Sequence, residues 1–326
     1  MAMRLLRGPL FFLLLGFGAA EAGTLKAYRF EGGEYVLVSD LADFYHLGRD
    51  LGEARERAEY RAAAGQVSFQ ADRRDIELNG VIHWLGSPIL FERNKLWVSA
   101  SDVLKAIDPV LRNGRQSKPQ PVRTIVLDPG HGGTDYGTHG ERGIEKTLTL
   151  DLARRVKERL EASGLRVWLS RSTDRNVGLD ARVQVAEEKH ADLFVSIHFN
   201  SGGSASGIET YCVPPAGAVS TATNFHRWRP SREEPGGPGN RFDEQNVWLA
   251  HCVQKTLLRA TGDNDRGVRR ARFVVIRDAP CPAILVEAGF LTNAGVEKKL
   301  LNPDYRDTLA KAIAGGIVNY KAAVEK

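Results

Sequence analysis

Residues 124–133, TIVLDPGHGG, place His131 in a glycine turn directly after an apolar strand, and this stretch decides both the fold and the site. Two later strand-like runs end in the same way, one at His198 in SIHFN and one at Glu287 in VEAGF. A single polar residue after a strand is usually satisfied by local hydrogen bonds. In an open α/β sheet, however, ligands bind outside the carboxyl ends of the strands. Three such residues in one chain therefore predict convergence on one site.

The residue types in this set are those of a metal centre. Catalytic zinc commonly has three protein ligands drawn from histidine and carboxylate side chains, with the fourth position left for water or substrate. With His131 and His198 as two ligands, Glu145 is the best third candidate, because it opens a predicted helix that ends at Gly164. The apolar positions of that helix recur every four residues, at Leu148, Leu152, Val156 and Leu160. The alternative interpretation of Glu145 is a carboxylate that only interacts with the helix dipole.

Further polar residues lie close in sequence to the two histidines. A ligating histidine usually donates its second ring N–H to a carboxylate, carbonyl or water. Asp128 and Asn200 are the nearest candidates for that role, although Asp128 equally suits capping of the DPGHGG turn. His139 is an alternative ligand, but its polar, glycine-rich surroundings favour exposure to solvent. The remaining histidines have no partner at ligand spacing and are interpreted as structural: His46, His83, His190, His226 and His251.

Motifs surround these residues from Thr124 to the C-terminal helix: LDPGHGG, GIEK, LSRSTD, LDAR, ADLFVSIHFNS, GIETY and DRGVRRARFVVIRDAPCPAILVEAGFLTN. With these motifs the chain resembles the zinc-dependent N-acetylmuramoyl-L-alanine amidases of the bacterial cell wall. Carried over position by position, the resemblance implies that His131, Glu145 and His198 bind Zn²⁺ and that Glu287 is the catalytic carboxylate. Glu187 departs from the family, which often has asparagine there, at a position that is not expected to contact the metal.

The resemblance implies hydrolysis of the amide bond between the lactyl group of N-acetylmuramic acid and L-alanine in peptidoglycan, during wall remodelling or daughter-cell separation. Two alternatives stay open: a catalytically silent wall-binding protein, and a zinc peptidase or deacetylase with the same constellation. Residues 214–243 form an insertion longer than an ordinary loop. Some relatives carry here a segment that blocks the zinc site until a protein activator moves it. An open substrate-binding flap is the other interpretation.

Residues 1–22 are interpreted as a signal peptide. Arg4 and Arg7 precede an apolar run at residues 10–17, and residues 20–22, AEA, have the small-x-small form of a cleavage site. The apolar run is well short of the roughly 20 residues that a spanning helix needs, which disfavours an uncleaved anchor. We therefore expect an exported chain, periplasmic or extracellular, with no stable membrane insertion after cleavage.

The rest of the chain divides into a small α+β accessory domain at residues 23–111, a linker at 112–121 and an α/β catalytic domain at 122–326. The catalytic domain is predicted to have a mostly parallel sheet flanked by helices. The accessory domain contains a faint repeat at residues 35–47 and 95–107, each a strand followed by a helix, with short antiparallel strands between them. It weakly resembles the N-terminal domains of copper amine oxidases, with no copper implied. A wall-binding module and a folded spacer both suit it.

The composition, with 42% hydrophobic and 26% charged residues, is that of an ordinary globular protein. The net charge of +5 comes without a basic aromatic platform, so nucleic acid is not a predicted partner. A mildly basic surface suits either attraction to stem-peptide carboxylates or solubility alone. Cys212, Cys252 and Cys281 are odd in number and lack C-x-x-C spacing, which disfavours a cysteine ligand or nucleophile.

Overall fold

The computed structural model describes residues 11–17, 21–30, 33–49, 56–62, 65–115, 120–221 and 235–326. The N-terminal half, up to residue 111, is built from short strands and helical turns. Its strands are β1 (Phe11–Phe17), β2 (Glu21–Phe30), β3 (Gly33–Leu37), β4 (Gly48–Arg49), β5 (Arg57–Ala62), β6 (Gly65–Gln70), β7 (Asp75–Leu78), β8 (Val81–Trp84), β9 (Leu90–Glu92) and β10 (Lys95–Ser99). Its helices are α1 (Val38–Phe44), α2 (Ala100–Asp102), a π-helical turn (Val103–Ile107) and α3 (Asp108–Leu111).

Two tight turns organise the short antiparallel strands predicted for this half. Asn79 and Gly80 have φ angles of 52° and 77°, and Arg93 and Asn94 have φ angles of 55° and 61°. Two consecutive residues at positive φ are the mark of hairpin turns whose twist matches that of the flanking strands. The turns join β7 to β8 and β9 to β10, so both predicted turn positions are confirmed. The two copies of the predicted repeat lie side by side, because β3 and β10 pair antiparallel.

The C-terminal half alternates strands and helices. Its strands are β11 (Thr124–Pro129), β12 (Arg166–Leu169), β13 (Leu193–Asn200), β14 (Ile208–Cys212), β15 (Asp265–Arg270) and β16 (Ala283–Phe290). Its helices are α4 (Glu145–Ala162), α5 (Leu179–Glu188), a 3₁₀ turn (Pro238–Phe242), α6 (Asp243–Thr261), α7 (Val274–Arg277), α8 (Ala294–Leu301) and α9 (Pro303–Val324). Helix α4 begins at Glu145 and ends just before Gly164, as predicted from its apolar stripe.

A mostly parallel sheet forms the centre of this half. Strands β12, β11, β13 and β16 run parallel in that order, β14 pairs antiparallel to β16, and β15 runs parallel to β14. Helices α4, α6 and α9 pack together on one face, while α5 and α7 cover the other. Ile125 and Leu127 therefore face one apolar layer and Val126 faces the other, all three buried. Burial on both faces explains why β11 is a continuous apolar run, and the predicted α/β fold is confirmed.

The strands that carry His198 and Glu287 extend further than the sequence predicts. His198 and Glu287 lie within these strands and not after them, because the two strands stay paired up to Asn200 and Phe290. The register shifts between His198 and Asn200. The apolar pattern of a sequence indicates which part of a strand is buried. It does not indicate at which residue the hydrogen-bonded pairing with the neighbouring strand ends.

The central sheet continues into the N-terminal half. Strand β15 pairs with β8, and the strands from β8 to β4 extend the sheet to 11 strands in all. One sheet therefore contains strands from both predicted domains, and the division at residues 112–121 stays a prediction. Residues 116–119 of that linker and residues 222–234 of the predicted insertion lie outside the described ranges.

The N-terminal segment that was interpreted as a signal peptide is described only in part. Residues 11–17 form β1, which pairs antiparallel with β2, while residues 1–10 and 18–20 lie outside the described ranges. The cleavage prediction is untested by this pairing. Within the described part of the chain, none of the helices combines the length and apolarity that a bilayer crossing requires.

A buried histidine pair joins the two halves. His83 on β8 and His251 on α6 are each 1% exposed, and Nε2 of the first lies 3.0 Å from Nδ1 of the second. The ring of Trp248 stacks on His251 at a centroid distance of 5.3 Å. Burial lowers the pKa of both histidines, to about 3 for His251, and the charges of Arg270 near His83 and Lys255 near His251 lower them further. Burial of the pair therefore favours the neutral form of both rings in the folded protein.

This pair predicts a loss of stability in acid. Because the folded pKa values are depressed, the unfolded chain binds protons below about pH 6.5 while the folded chain does not, so the free energy of unfolding falls as pH falls from about 6.5 towards 3. Each histidine contributes at most about 1.4 kcal/mol per pH unit. Urea unfolding of a His83→Leu/His251→Leu variant should show a shallower dependence on pH than the wild type. The exposed His190, replaced in His190→Asn, is the control, and equal slopes in all three chains would contradict the prediction.

Candidate active site

The turn after β11 is shaped by close approach of neighbouring side chains. His131 itself has a φ angle of 62°, a left-handed conformation that is uncommon for a residue with a side chain. A Cβ atom at Gly130 would lie 2.2 Å from Cε1 of His198, and one at Gly137 would lie 2.6 Å from Oε2 of Glu145. Glycine at these two positions lets the three side chains converge.

Two buried arginines hold the backbone of this turn. Nε of Arg171 donates to the carbonyl of Pro129 at 3.0 Å, and its Nη2 donates to the carbonyl of Gly130 at 2.8 Å. Nη1 of Arg182 donates to the same Pro129 carbonyl at 2.7 Å, and its Nη2 donates to the carbonyl of His131 at 2.8 Å. Three successive carbonyls are thus fixed by guanidinium groups, which stabilises the strained conformation of His131.

Asp128 supplies the charge that keeps Arg182 in place. Nη1 of Arg182 lies 2.7 Å from Oδ1 of Asp128, with the two side chains only 4% and 1% exposed. The hydroxyls of Ser170 and Ser196 also donate to this carboxylate. A buried ion pair is stable only when such additional hydrogen bonds complete it. The Asp128 carboxylate therefore acts on the turn through Arg182, and its contacts are with the side chains of Arg182, Ser170 and Ser196 and not with the ring of His131.

The three predicted ligands come together in one cluster. Among the described residues, His131, Glu145 and His198 form the group of side chains that could hold a metal ion, with their ligand atoms all within 4.8 Å of one another. Oε1 of Glu145 lies 3.1 Å from Nε2 of His131 and 2.9 Å from Nδ1 of His198. His131 comes from the turn after β11, Glu145 is the first residue of α4, and His198 lies near the carboxyl end of β13.

Glu145 is held as an anion. Burial raises its pKa, but hydrogen bonds and charge interactions with His131 and His198 outweigh burial, and the pKa ends well below the usual range. The backbone N–H groups of Thr138 and Phe199 also donate to its two oxygens, at 2.7 and 3.1 Å. These contacts orient the carboxylate towards the two imidazoles. A helix-dipole role alone does not account for them.

Asp135 lies behind His131, in a role for which Asp128 was one candidate from the sequence. Its Oδ2 lies 2.9 Å from Nδ1 of His131, and its Oδ1 accepts the backbone N–H of Gly137 at 3.1 Å. Burial lowers the pKa of His131, but the carboxylates of Glu145 and Asp135 raise it, and the net shift is upward. A carboxylate behind a ligating histidine sets its tautomer and ring orientation. The spacing of four residues between His131 and Asp135 was the signal that could have found it.

Glu287 lies beside the cluster in the next strand. His198 on β13 and Glu287 on β16 are register partners, and Glu209 on β14 is the partner of Glu287 on its other side. Oε2 of Glu287 is buried and has no hydrogen-bond partner in the described part of the chain. Burial raises the pKa of Glu287 well above its ordinary value, and the charges of Glu145 and Glu209 raise it further. A buried carboxylate with a perturbed pKa beside a cluster of potential metal ligands is a candidate acid or base.

Glu209 is a further acidic residue beside Glu287 that was not predicted from the sequence. It is 2% exposed, and its Oε1 accepts hydrogen bonds from Nε of Arg266 and, at 3.1 Å, from Nη1 of Arg269. Its Oε2 accepts from the hydroxyl of Tyr211 at 2.6 Å and from Nδ2 of Asn200 at 3.1 Å. An acidic residue inside the apolar strand IETYC was the available signal.

The other sequence candidates lie away from the cluster. Asn200 contacts Glu209 and not His198, and the exposed His139 lies against the ring of Tyr136 at a centroid distance of 5.6 Å. The three cysteines are buried free thiols. They are Cys212, Cys252 and Cys281, and burial raises the pKa of each.

The fold and the site together define a class: an α/β protein with a candidate metal site at the strand ends and a buried glutamate beside it. The chain belongs to the N-acetylmuramoyl-L-alanine amidase family, whose sequence profile matches residues 125–319. All four predicted site residues lie inside this match, and the N-terminal half lies outside it.

Individual relatives agree with this assignment. The chain is 39% identical over 199 residues to N-acetylmuramoyl-L-alanine amidase LytC of Bacillus subtilis (strain 168), a match that covers 60% of this chain but only 35% of LytC. The catalytic domain of CwlV, an amidase of Bacillus (Paenibacillus) polymyxa var. colistinus, is similar in structure with a TM-score of 0.51 and 35% identity, covering 62% of this chain and 99% of that one. The CwlD amidase of Clostridioides difficile, in complex with the GerS lipoprotein, has a TM-score of 0.51 and 26% identity, covering 61% and 98%.

The turn-holding ion pair predicts a large effect of one substitution. Arg182→Ala leaves Asp128 buried without a countercharge, which should lower the free energy of unfolding by about 3 to 5 kcal/mol. Urea unfolding measures this loss. Arg175→Ala, which removes an exposed arginine near the same turn, is the matched control. The double variant Asp128→Asn/Arg182→Ala should lose less than Arg182→Ala, and an Arg182→Ala chain as stable as the control would show that the pair does not hold the turn.

Proposed function

We propose that this chain is a zinc-dependent hydrolase that cleaves the amide bond between N-acetylmuramic acid and L-alanine in peptidoglycan. The observation that supports the proposal is the convergence of His131, Glu145 and His198 beside Glu287 in a member of the amidase family. Hydrolysis of an unactivated amide needs a polarised carbonyl and a positioned base together. The proposed metal ligand His198 and the proposed base Glu287 lie opposite each other on neighbouring strands.

The residues present fit zinc. Two imidazole nitrogens and one carboxylate oxygen are a ligand set of catalytic zinc sites, which leave one position open. Glu145 is ionised and Asp135 orients His131, so the donor atoms are prepared for a cation. When bound, zinc supplies Lewis acidity that polarises a carbonyl and lowers the pKa of water from about 15.7 to about 7.

Glu287 is the proposed catalytic base. It accepts a proton from the attacking water and returns that proton to the leaving amino group of L-alanine. Burial raises its pKa, which favours uptake of a proton by the carboxylate. Its place in a buried strand next to His198 limits movement of the carboxylate relative to the cluster.

The setting of the enzyme is part of the proposal. Removal of residues 1–22 as a signal peptide would deliver residues 23–326 to the periplasm or the cell exterior, where peptidoglycan lies. Residues 23–111 would form an accessory domain, residues 112–121 a linker and residues 122–326 the catalytic domain. A protein partner suits the same proposal, because CwlD is found in complex with a lipoprotein.

Mass spectrometry of the reaction products tests the activity. Purified peptidoglycan incubated with the chain should release peptides that begin with free L-alanine and leave the glycan strands intact. A zinc chelator should abolish release, and added Zn²⁺ should restore it. Peptides that stay attached while zinc is bound would favour the silent wall-binding protein. Cuts within the stem peptide, or loss of acetyl groups from the sugars, would favour the peptidase or deacetylase.

Substitution of Glu287 tests its role separately from the metal. Glu287→Gln and Glu287→Ala should keep the zinc content of the wild type while turnover falls by about a hundredfold to ten-thousandfold, because the base is removed and the ligands are not. Zinc content is measured by elemental analysis and turnover by peptide release. Glu158→Gln, at an exposed position of α4, is the control. Wild-type turnover in the Glu287 variants would assign the base to another residue.

A further inference from the structure

Trp84 of the N-terminal half lies against strand β15 of the C-terminal half. Its indole Nε1–H donates to the backbone carbonyl of Arg266 at 3.0 Å. The guanidinium carbon of Arg269 lies 4.5 Å from the centroid of its ring. A cation over an indole face is the strongest arrangement of this kind in proteins. Trp84 therefore contacts two arginines of the same strand, Arg266 and Arg269.

The part of β15 that contacts the Trp84 ring has a glycine, Gly267, at the point of closest approach. Gly267 has a φ angle of 94°, and a Cβ atom there would lie 2.9 Å from Cδ1 of Trp84 and 2.8 Å from the carbonyl oxygen of Ile82. Asp265 accepts the backbone N–H of Ile82 at 2.7 Å, which holds β8 against β15 next to the ring. A side chain at position 267 would displace either β8 or the indole.

The two arginines that Trp84 contacts are the two that bind Glu209. Nε of Arg266 and Nη1 of Arg269 both donate to Oε1 of Glu209, which is buried. Glu209 is the register partner of Glu287 across β14 and β16. A continuous set of contacts therefore runs from Trp84 through the arginines to the carboxylate beside the proposed base.

We infer that Trp84 is a positioning residue for the amidase site. Its ring holds Arg269 against Glu209, and Glu209 in turn keeps its register partner Glu287 in the geometry that the reaction needs. The inference rests on the proposed function. Without the ring, Arg269 is free to leave Glu209, and the buried carboxylate keeps only Arg266 as a countercharge. A buried carboxylate that has lost one of its two ion-pair partners shifts, and its strand neighbour Glu287 shifts with it. The N-terminal half then contributes to catalysis without contacting the substrate.

Two variants separate the ring from its N–H group. Trp84→Phe keeps an aromatic face for Arg269 and loses the donor to the carbonyl of Arg266. Trp84→Gln keeps a donor and loses the face. With a soluble N-acetylmuramoyl peptide as substrate, we expect kcat to fall about ten- to a hundredfold in Trp84→Gln with KM changed less than about twofold, as for outer residues that orient a metal site. Trp84→Phe should stay within about threefold of the wild type.

The matched control is Trp168→Leu. Trp168 lies in the edge strand β12, is 47% exposed and carries the ammonium of Lys189 at 4.2 Å from its ring centroid, so the same type of contact is removed far from Glu287. Its kcat should equal that of the wild type. Circular dichroism and zinc content show that each variant folds and binds metal, and Trp84→Leu replaces Trp84→Gln if the latter does not fold.

A double-mutant cycle identifies the route. If Trp84 acts through Arg269, the losses of kcat in Trp84→Gln and Arg269→Met are not additive in the double variant. Additive losses, equal losses in the Phe and Gln variants, or wild-type kcat in Trp84→Gln would each overturn the inference. An inactive wild-type chain would contradict the amidase activity and any role of Trp84 in it, whereas an active wild type with an equally active Trp84→Gln contradicts the role of Trp84 alone.

Discussion

The site depends on the buried ion pair between Asp128 and Arg182. Two charges removed from water are stable only when they neutralise each other and when their remaining hydrogen-bonding groups are satisfied. Here two serine hydroxyls and the carbonyls of the β11 turn meet that requirement. One of these carbonyls belongs to His131, which has a left-handed conformation and whose Nε2 lies 3.1 Å from Glu145. The ion pair that stabilises the end of β11 therefore also fixes the backbone of a candidate metal ligand.

Three glutamates lie in or beside this site, and their surroundings give them different chemistry. Glu145 contacts two imidazoles that hold its pKa well below the usual range, while Glu209 is bound by two arginines. Glu287 lies between them with one buried oxygen that has no partner among the described residues, and its pKa is raised. Environment alone can give carboxylates of one residue type different chemistry, and these surroundings suit the ligand, structural and proton-transfer roles proposed for the three residues. This division supports a metal-dependent hydrolase more strongly than any single residue does.

The N-terminal half is attached to this arrangement through β8 and β15. Strand β8 carries His83 towards α6 on one face and Trp84 towards the arginines of Glu209 on the other. Adjacent residues of a strand point to opposite faces, so one short strand reaches both the helical layer and the site. Because the central sheet is shared between the halves, the accessory segment is more closely integrated than a linker of ten residues suggested.

The sequence by itself determined the features that depend on neighbouring residues. The start of α4 at Glu145, the hairpin turns at Asn79 and Arg93, and the alternation of strands and helices follow from local propensity and periodicity. The motifs also identified the cluster of His131, Glu145 and His198. Only the tertiary structure decided that Asp135 and not Asp128 supports His131, that Glu209 lies beside Glu287, and that Trp84 covers Arg269. Those outcomes depend on which side chains meet in space although they are far apart in the chain. A local sequence pattern contains no information about such contacts.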